Sequence, residues 1–228
     1  MKTVLVFLIV LPIHFARSTT FTNLNFESVR QPLTIVDPLT GGVSAAQAIP
    51  GWHVFVGGTE VSTLLYNGKA FGPAWMSLYS RAYDPIFAIE GNYFVQIYSG
   101  LVSPLPTGAG VAITQTGLIP PDAVSLQLKT WRAPTPFEIS IGGSTLSMTP
   151  VFTGSNYVTH AADISAYAGQ ELELCIGVTY DGIAPGGQTH ALLFDDIQFS
   201  TEPIPEPPVI ALLVFAGAGL YWHLRRRG

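Results

Sequence analysis

The sequence predicts an all-β protein built as an antiparallel β-sandwich (jelly roll). The 228 residues include 23 glycines and 18 prolines, which suits a turn-rich β protein better than a helical one. No long apolar pattern with the helical repeat occurs. Short apolar runs recur instead, bounded by Gly, Pro, Asn and Asp. Many short strands without intervening helices are typical of antiparallel sandwiches and jelly rolls.

The predicted strands follow one another through the central part of the chain. Segment 123–132 alternates most clearly, and it places four side chains on one face: Val124, Leu126, Leu128 and Thr130. Segment 136–149 is predicted to be a hairpin, because Gly142 and Gly143 adopt the positive φ of a tight turn at little cost. The full set of predicted strands is 21–27, 52–56, 61–66, 74–79, 92–98, 109–116, 123–132, 136–141, 145–149, 156–161, 171–179 and 190–199.

The first 18 residues have the layout of a secretory signal peptide. Lys2 supplies a positive start, and Thr3 to Ile13 form a short apolar run. Ala16 and Ser18 are small residues at the spacing that signal peptidase prefers. We therefore expect export, with cleavage by signal peptidase after Ser18. The alternative is an ordinary buried strand or helix, which the position of the run, the lysine and the small-residue spacing disfavour.

Residues 203–228 form a second apolar tail. Its central run has 16 residues without an acid, a lysine or an arginine. We expect a single transmembrane helix over about 208–224, which is short for a span but can be extended by its flanking residues. Tyr221 and Trp222 suit a membrane interface, and the three arginines that follow suit the cytoplasmic side. A buried core helix is the alternative, and such a helix would rarely end in three arginines.

The same tail resembles the PEP-CTERM sorting signal of Gram-negative bacteria. Three parts carry the resemblance, a Pro-Glu-Pro motif, the apolar run and a basic cluster: Pro205, Glu206 and Pro207, then Arg225, Arg226 and Arg227. The resemblance implies transient anchoring in the inner membrane, followed by recognition and removal of the tail by an exosortase. It also implies a destination at the cell surface or in the extracellular matrix, often beside exopolysaccharide. A plain C-terminal membrane anchor without processing is the alternative.

The segment between the tails, residues 19–202, is expected to form one acidic domain. It contains five basic and 14 acidic residues, a formal net charge of −9. This charge excludes a basic nucleic-acid binder and would attract divalent cations. Cys175 is the only cysteine, so no intramolecular disulfide can form. We expect Cys175 to be a buried strand residue, because nothing near it in the sequence lowers its pKa.

This domain also resembles the galactose-binding-like jelly rolls, a superfamily that includes many carbohydrate-binding modules. Six stretches carry the resemblance, and the last two, a turn and an acidic closing strand, are the most specific: 23–27, 51–52, 112–116, 126–129, 163–170 and 193–197. The resemblance implies the jelly-roll fold more directly than it implies sugar binding, because one fold hosts many functions.

A structural calcium ion is also implied by the resemblance, with Glu27 and Asp195 as the ligands that tie the first strand to the last. Calcium takes oxygen ligands from carboxylates and backbone carbonyls, which agrees with these residues. Strand alternation favours Asp195 over Asp196, because Asp195 should share one face with three apolar residues, Leu193, Ile197 and Phe199. A carboxylate on an apolar face needs a partner. The alternative is a metal-free Asp195 that binds backbone groups at the end of the sheet.

A loop that combines aromatic and charged side chains is the predicted ligand patch. Trp75 and Tyr79 precede this loop, and Arg81, Tyr83 and Asp84 lie within it. Aromatic rings offer flat faces for sugar stacking, and binding sites are often found on such loops. The alternative is core packing, which is the usual role of aromatic residues.

No arrangement of catalytic residues is evident in the sequence. The histidines lack zinc-site spacing, and neither a nucleophile elbow nor a phosphate-binding loop occurs. Glu171 and Glu173 share one strand face, which we expect to be solvated and not an acid–base pair. We therefore expect no enzyme but an exported surface or matrix protein with a structural or adhesion role. The alternative is a carbohydrate-binding module that binds exopolysaccharide, and a glycan-acting hydrolase is a third, disfavoured option.

Overall fold

The computed structural model describes the following residues of the chain: 19–68, 74–100, 110–132, 136–179 and 190–204. The predicted signal peptide, the Pro-Glu-Pro motif, the apolar run and the arginine cluster lie outside these ranges. Within the ranges, no helix is both long enough and apolar enough to cross a membrane. The transmembrane helix predicted over about 208–224 also falls outside them.

Fifteen strands form two sheets in the described part of the chain. The strands are β1 (Ile35–Asp37), β2 (Gly42–Ser44), β3 (His53–Val56), β4 (Thr59–Val61), β5 (Thr63–Tyr66), β6 (Trp75–Ser80), β7 (Tyr93–Tyr98), β8 (Gly110–Leu118), β9 (Ser125–Trp131), β10 (Glu138–Ile141), β11 (Ser144–Thr145), β12 (Thr149–Thr153), β13 (Tyr157–Asp163), β14 (Glu171–Thr179) and β15 (Ala191–Ser200). A short helix α1 (Ala45–Ala48) and one 3-10 turn (Ser165–Tyr167) accompany them.

The two sheets form a β-sandwich, which confirms the predicted all-β class. The nine-stranded sheet has the order β1-β2-β5-β6-β7-β15-β9-β13-β12, and the six-stranded sheet has the order β11-β10-β14-β8-β3-β4. Paired neighbours run antiparallel throughout, except for the parallel pair β5 and β6. The chain passes from one sheet to the other after β2, β4, β7, β8, β9, β11, β13 and β14.

The main core lies between the two sheets and is built by side-chain alternation along the strands. Leu126, Leu128 and Thr130 of β9 are fully buried, as the alternation of this segment predicts. Ile113 of β8 and Ile176 of β14, from the other sheet, belong to the same buried cluster. Because burial of apolar surface is the dominant stabilising term in folding, this core stabilises the fold without a disulfide.

A smaller apolar cluster covers the opposite face of the nine-stranded sheet. Trp75 and Tyr79 of β6 and Phe94 of β7 pack there with Ala88, which lies in the loop between these strands. Tyr79 stacks on Phe94 with ring centroids 5.4 Å apart, and Trp75 stacks on Tyr98 at 5.2 Å. The loop between β6 and β7 therefore folds over this face of the sheet and shields its aromatic residues from solvent.

The tight turn between β10 and β11 contains the two predicted glycines. Gly142 and Gly143 have φ angles of 55° and 79°, so both occupy the left-handed region that this type of hairpin turn requires. The predicted hairpin is confirmed over β10 and β11. The chain then leaves this sheet, and Thr149 begins β12 at the edge of the nine-stranded sheet.

Several strand predictions differ from the structure. Segment 21–27 is irregular and not a strand, because Asn23 and Phe26 have φ angles of 52° and 56° that break the extended backbone. Segment 61–66 divides between β4 and β5, which belong to different sheets. Strands β1 and β12 were not predicted, because their residues are mostly exposed and therefore show no apolar alternation.

Strand β15 contains an irregularity that overturns the predicted alternation around Asp195. Its register with β9 shifts between Asp195 and Gln198, and Asp196 has a φ of 49°. The main core contains side chains from both sides of this bulge: Leu192, Phe194 and Ile197. Leu193 packs in the smaller cluster, on the sheet face opposite to that of Ile197 and Phe199. The prediction that Asp195 shares one face with all three of these residues is therefore wrong.

Candidate functional site

The outer face of the six-stranded sheet carries an open groove. Its volume is about 830 Å³, which lies within the range of roughly 300 to 1,000 Å³ that is usual for ligand sites. Strands β3, β8, β10, β11 and β14 and the turns at their ends form it. The lining residues are Phe55, Gly57, Gly58, Gly110, Val111, Ala112, Thr114, Glu138, Ser140, Gly143, Thr145, Glu173, Cys175, Gly177 and Val178.

Small side chains form the floor of this groove. Ala112 and Gly177 pair across β8 and β14, and a Cβ atom added to Gly177 would lie 3.2 Å from the Cβ of Ala112. Thr114 and Cys175 form the next pair on the same face, and Ser140 of β10 pairs with Cys175 on its other side. Because none of these residues has a large side chain, a ligand can approach close to the sheet itself.

An aromatic ring and two carboxylates flank the floor. Phe55 of β3 pairs with Ala112 and is partly exposed. Glu138 of β10 and Glu173 of β14 are both exposed, which confirms the predicted solvated face at Glu173. Neither carboxylate has a hydrogen-bond or ion-pair partner among the residues that the structure describes. Within the described part of the chain, both carboxylates are therefore available to a ligand.

Cys175 lies half-buried in the floor of the groove and not in the core, contrary to the sequence-based expectation. Burial raises the pKa of its thiol. The negative charge of Glu173 and, more weakly, that of Glu138 raise this pKa further, whereas a hydrogen bond with Ser140 lowers it. These effects disfavour the thiolate, which is the reactive form of cysteine.

A second candidate site contains the two predicted calcium ligands. Glu27 and Asp195 line the same cavity, which has a volume of about 230 Å³. The structure thus brings these two residues together from the two ends of the domain. The remaining lining residues are Asn25, Glu90, Gly91 and Asp196. We refer to these six residues as the acidic cavity.

Asp195 is a buried carboxylate with only 1% of its surface exposed. The pKa of Asp195 is raised to about 8, chiefly by burial and in smaller part by the charges of Asp196 and Glu27. The backbone N–H groups of Asp196 and Glu90 donate to its oxygens at 2.7 and 3.2 Å, and these hydrogen bonds lower its pKa. Lys129 pairs with Glu90 and with Asp196 at 2.7 Å, so among the described residues Asp195 itself has no cationic partner.

Glu27 ties the N-terminal segment of the domain to the start of β7. Its carboxylate accepts hydrogen bonds from the backbone N–H groups of Asn92 and Tyr93 at 2.6 and 2.9 Å, and from the Asn92 side chain at 3.0 Å. Gly91, with a φ of 53°, lies against this carboxylate, and any Cβ at that position would overlap it. The glycine is therefore needed for the approach of Glu27.

The donors of the acidic cavity fit calcium in their chemical type. All the side chains that line it carry oxygen, which is the ligand atom that calcium prefers, and Asp195 is a buried carboxylate without a compensating cation. No group of three or more His, Cys, Asp and Glu side chains in the described ranges is arranged to hold a metal ion. An ion bound by Glu27 and Asp195 would thus depend on backbone carbonyls or water for its other ligands.

The predicted aromatic patch is divided by the fold. Trp75 and Tyr79 are 7% and 1% exposed, so neither ring offers a free face for stacking on a sugar. Arg81 and Tyr83 are exposed on the loop after β6, and Asp84 is partly exposed beside them. Ligand binding by these three loop residues stays a prediction.

None of the described histidines is among the residues that line the groove. His53 is exposed, and its Nδ1 lies 2.6 Å from a carboxylate oxygen of Glu60. His160 is buried and hydrogen-bonds through Nε2 to the Thr130 hydroxyl at 3.1 Å. Burial lowers the pKa of His160 and keeps its ring neutral at physiological pH.

The sequence did not indicate the groove, because its residues come from strands that are mostly far apart in the chain. The local signal is a pattern of small or polar residues at alternate positions of two strands. Ala112 and Thr114 form this pattern on β8, and Cys175 and Gly177 form it on β14. Such a pattern is typical of any solvent-facing strand. It predicts a groove only once the order of the strands in the sheet is known.

Comparisons with known proteins identify no family for this chain. No protein-family model matches it, and no match is found among curated proteins. The enzymatically active domain of tailspike protein 4 of bacteriophage CBA120 is a similar solved structure, with 12% identity over 76% of this chain and a TM-score of 0.37. This chain spans only 21% of the length of that structure.

Two further similar structures are binding or adhesin domains. TmCBM61, solved with β-1,4-galactotriose, has 12% identity and a TM-score of 0.33. The match covers 80% of this chain and 97% of the TmCBM61 chain. The K1 cleaved adhesin domain of Lys-gingipain from Porphyromonas gingivalis has 11% identity and a TM-score of 0.37. The match covers 68% of this chain and 94% of the adhesin domain.

Proposed function

We propose that this chain is an exported, non-catalytic binding module that holds a glycan in the groove of its six-stranded sheet. The groove itself is the observation that carries the proposal. It combines a floor of small residues, an aromatic ring at Phe55, and the carboxylates of Glu138 and Glu173, which have no partner among the described residues. A sugar needs such a combination, because its apolar face packs on a ring and its hydroxyls donate to carboxylates. The passage of the chain between the two sheets also supports a jelly roll.

A purely structural role and a hydrolase account less well for this groove. A structural domain needs no open groove with unpaired acids. A glycosidase needs two carboxylates on either side of the scissile bond, one of them desolvated enough to hold its proton. Glu138 and Glu173 are both exposed to solvent. We therefore assign them to binding.

Export followed by C-terminal processing is the second part of the proposal. Thr19, the first residue after the predicted cleavage site, donates its backbone N–H to Glu171 at 3.3 Å, and its carbonyl accepts the Leu118 N–H at 2.6 Å. An ammonium group created at Thr19 would therefore face a carboxylate, so cleavage there is compatible with the fold. Mass spectrometry of the native protein should find ends near Thr19 and Pro205. An intact tail containing Arg227 would contradict the sorting proposal.

Affinity electrophoresis tests the glycan proposal directly. The full-length chain should be retarded in gels that contain its ligand, with neutral polysaccharides and the polysaccharide of the producing cell as the probes. Phe55→Ala should reduce the retardation, because it removes the ring beside the groove. Phe152→Ala is the matched control, since Phe152 is an exposed phenylalanine on the nine-stranded sheet. A chain that migrates unretarded in every gel would refute glycan binding.

The single thiol of the chain tests the location of the ligand. Cys175 lies half-buried in the groove floor, so a bound glycan should slow its modification by a small maleimide. No engineered cysteine is needed, because the sequence contains no other. Retardation in the gel without protection of Cys175 would place the glycan outside the groove.

We also propose that calcium stabilises the domain through Glu27 and Asp195. The supporting observation is the buried Asp195, which has Glu27 and Asp196 nearby and no cation on its own oxygens among the described residues. A bound ion would offset these charges and connect the N-terminal segment to β15. Calcium should raise the melting temperature of EDTA-treated protein. An unchanged melting temperature at saturating calcium would refute this role.

A further inference from the structure

The charged side chains that line the groove are all negative among the described residues. Glu138 and Glu173 contribute two formal negative charges, and the described residues that line the groove include no lysine, arginine or histidine. The domain around them has a formal net charge of −9 by composition. A ligand in this groove therefore encounters negative charge from the walls and from the rest of the domain.

Nothing in the described structure neutralises the two groove carboxylates. Neither side chain has an ion-pair or hydrogen-bond partner there. His53 lies on the same sheet face, but Glu60 holds it in a 2.6 Å pair. Lys129 belongs to the other sheet, where Glu90 and Asp196 hold its ammonium group.

The floor of the groove responds to both charges. Cys175 lies on β14, and Glu138 and Glu173 each raise the pKa of its thiol, in addition to the larger effect of its burial. The carboxylates thus act on the same part of the groove, although they come from different strands. A charged group of a ligand that sits on this floor would interact with both of them.

We infer that the groove selects glycans that carry free amino groups and rejects glycans that carry carboxylates or sulfates; this inference rests on the proposed glycan-binding function. An ammonium group donates charge-assisted hydrogen bonds to carboxylates, and these are about twice as strong as the bonds of a neutral hydroxyl. A uronate or sulfate would instead bring a third negative charge to Glu138 and Glu173, and the described lining residues include no cation to compensate it. Such like-charge contacts strongly disfavour binding.

The test compares three oligosaccharides of similar length by isothermal titration calorimetry on the full-length chain. The probes are β-1,4-linked tetramers of glucosamine and of N-acetylglucosamine and the α-1,4-linked tetramer of galacturonate, in EDTA at low ionic strength. The glucosamine tetramer should bind about tenfold more tightly than its acetylated counterpart, because charge-assisted hydrogen bonds replace neutral ones. Added salt should reduce this difference. The galacturonate tetramer should not bind.

Variants connect the preference to the groove. The double variant Glu138→Gln with Glu173→Gln should reduce the glucosamine preference to about twofold or less, because the amides keep hydrogen bonding and lose the charge. Glu202→Gln is the matched control, since Glu202 is an exposed carboxylate outside the groove. It should leave the preference unchanged.

The outcomes separate the two proposals. Equal affinity for the amino and acetylated tetramers, or tighter binding of galacturonate, would overturn the amino-glycan inference and leave glycan binding in place. A preference that survives the double variant would also overturn the inference, because its source would lie outside these carboxylates. No binding of any tetramer, together with no retardation by any polysaccharide, would overturn glycan binding itself.

Discussion

Replacement of Asp195 by asparagine should stabilise the protein at neutral pH when no divalent cation is present. The Asp195 side chain is 1% exposed, and burial raises its pKa to about 8 from the ordinary value of 3.8. At pH 7 the carboxyl group therefore ionises in the unfolded chain but keeps its proton in the folded one. This difference favours the unfolded state by roughly 4 kcal/mol, at about 1.4 kcal/mol for each pKa unit between 3.8 and 7.

Asparagine removes this penalty because it does not ionise. Its amide keeps one acceptor oxygen, so one of the two N–H bonds from Asp196 and Glu90 is lost, at a cost of about 1 kcal/mol. We expect a net gain of about 3 kcal/mol in the free energy of unfolding at pH 7. Urea unfolding in EDTA, followed by tryptophan fluorescence, measures the gain. Asp122→Asn, at an exposed aspartate, is the matched control and should change the free energy little.

The pH dependence of the free energy of unfolding tests the effect of Asp195. Because its folded pKa lies above its unfolded pKa, the wild-type stability should fall relative to that of Asp195→Asn as the pH rises from about 4 to about 8. The difference between the two proteins cancels the contributions of the other titrating groups. If Asp195→Asn were less stable than the wild type at pH 7 in EDTA, the account of Asp195 as an uncompensated buried carboxylate would be wrong. Calcium should stabilise only the wild type.

Three further predictions concern other parts of the sandwich. Glu173→Gln should lower the pKa of Cys175, because it removes one screened negative charge near the thiol. Maleimide modification of Cys175 at pH 8 should therefore become about twofold faster. An unchanged rate would show that Glu173 does not act on the groove floor. Burial lowers the pKa of His160, so the domain should lose stability as the pH falls below the unfolded value of 6.5, and His160→Gln should remove this loss in urea titrations between pH 7 and 5. Gly117→Ala should destabilise the domain by about 1 to 3 kcal/mol, because its Cβ would lie 2.8 Å from the backbone N of Phe21; a melting temperature equal to that of the wild type would contradict this packing.

The parts of the fold that depend on neighbouring residues could be predicted from the sequence. The alternation of β9 predicted the burial of Leu126 and Leu128, because side chains of a strand point to its two faces in turn. The turn at Gly142 and Gly143 was predictable because only a residue without a Cβ adopts positive φ easily. The short exposed strands β1 and β12 could not be predicted, since neither has a buried face.

The candidate sites could be predicted only in part. The resemblance named Glu27 and Asp195, and the structure places both in the acidic cavity. The reason offered for Asp195 was nevertheless wrong, because a bulge in β15 interrupts the alternation on which it depended. The aromatic residues Trp75 and Tyr79 are buried because the loop after β6 folds over them, and this is a contact that no local pattern contains.

By itself, the sequence determined the β class, the acidity of the domain and the chemical character of its two tails, because composition and local periodicity are properties of neighbouring residues. Only the tertiary structure decided where the open surface lies. Phe55, Ala112, Glu138 and Cys175 are far apart in the chain, and pairing within the six-stranded sheet brings them to one face. A groove exists only where strands with small side chains become neighbours, and the order of strands is set by the packing of the whole sandwich.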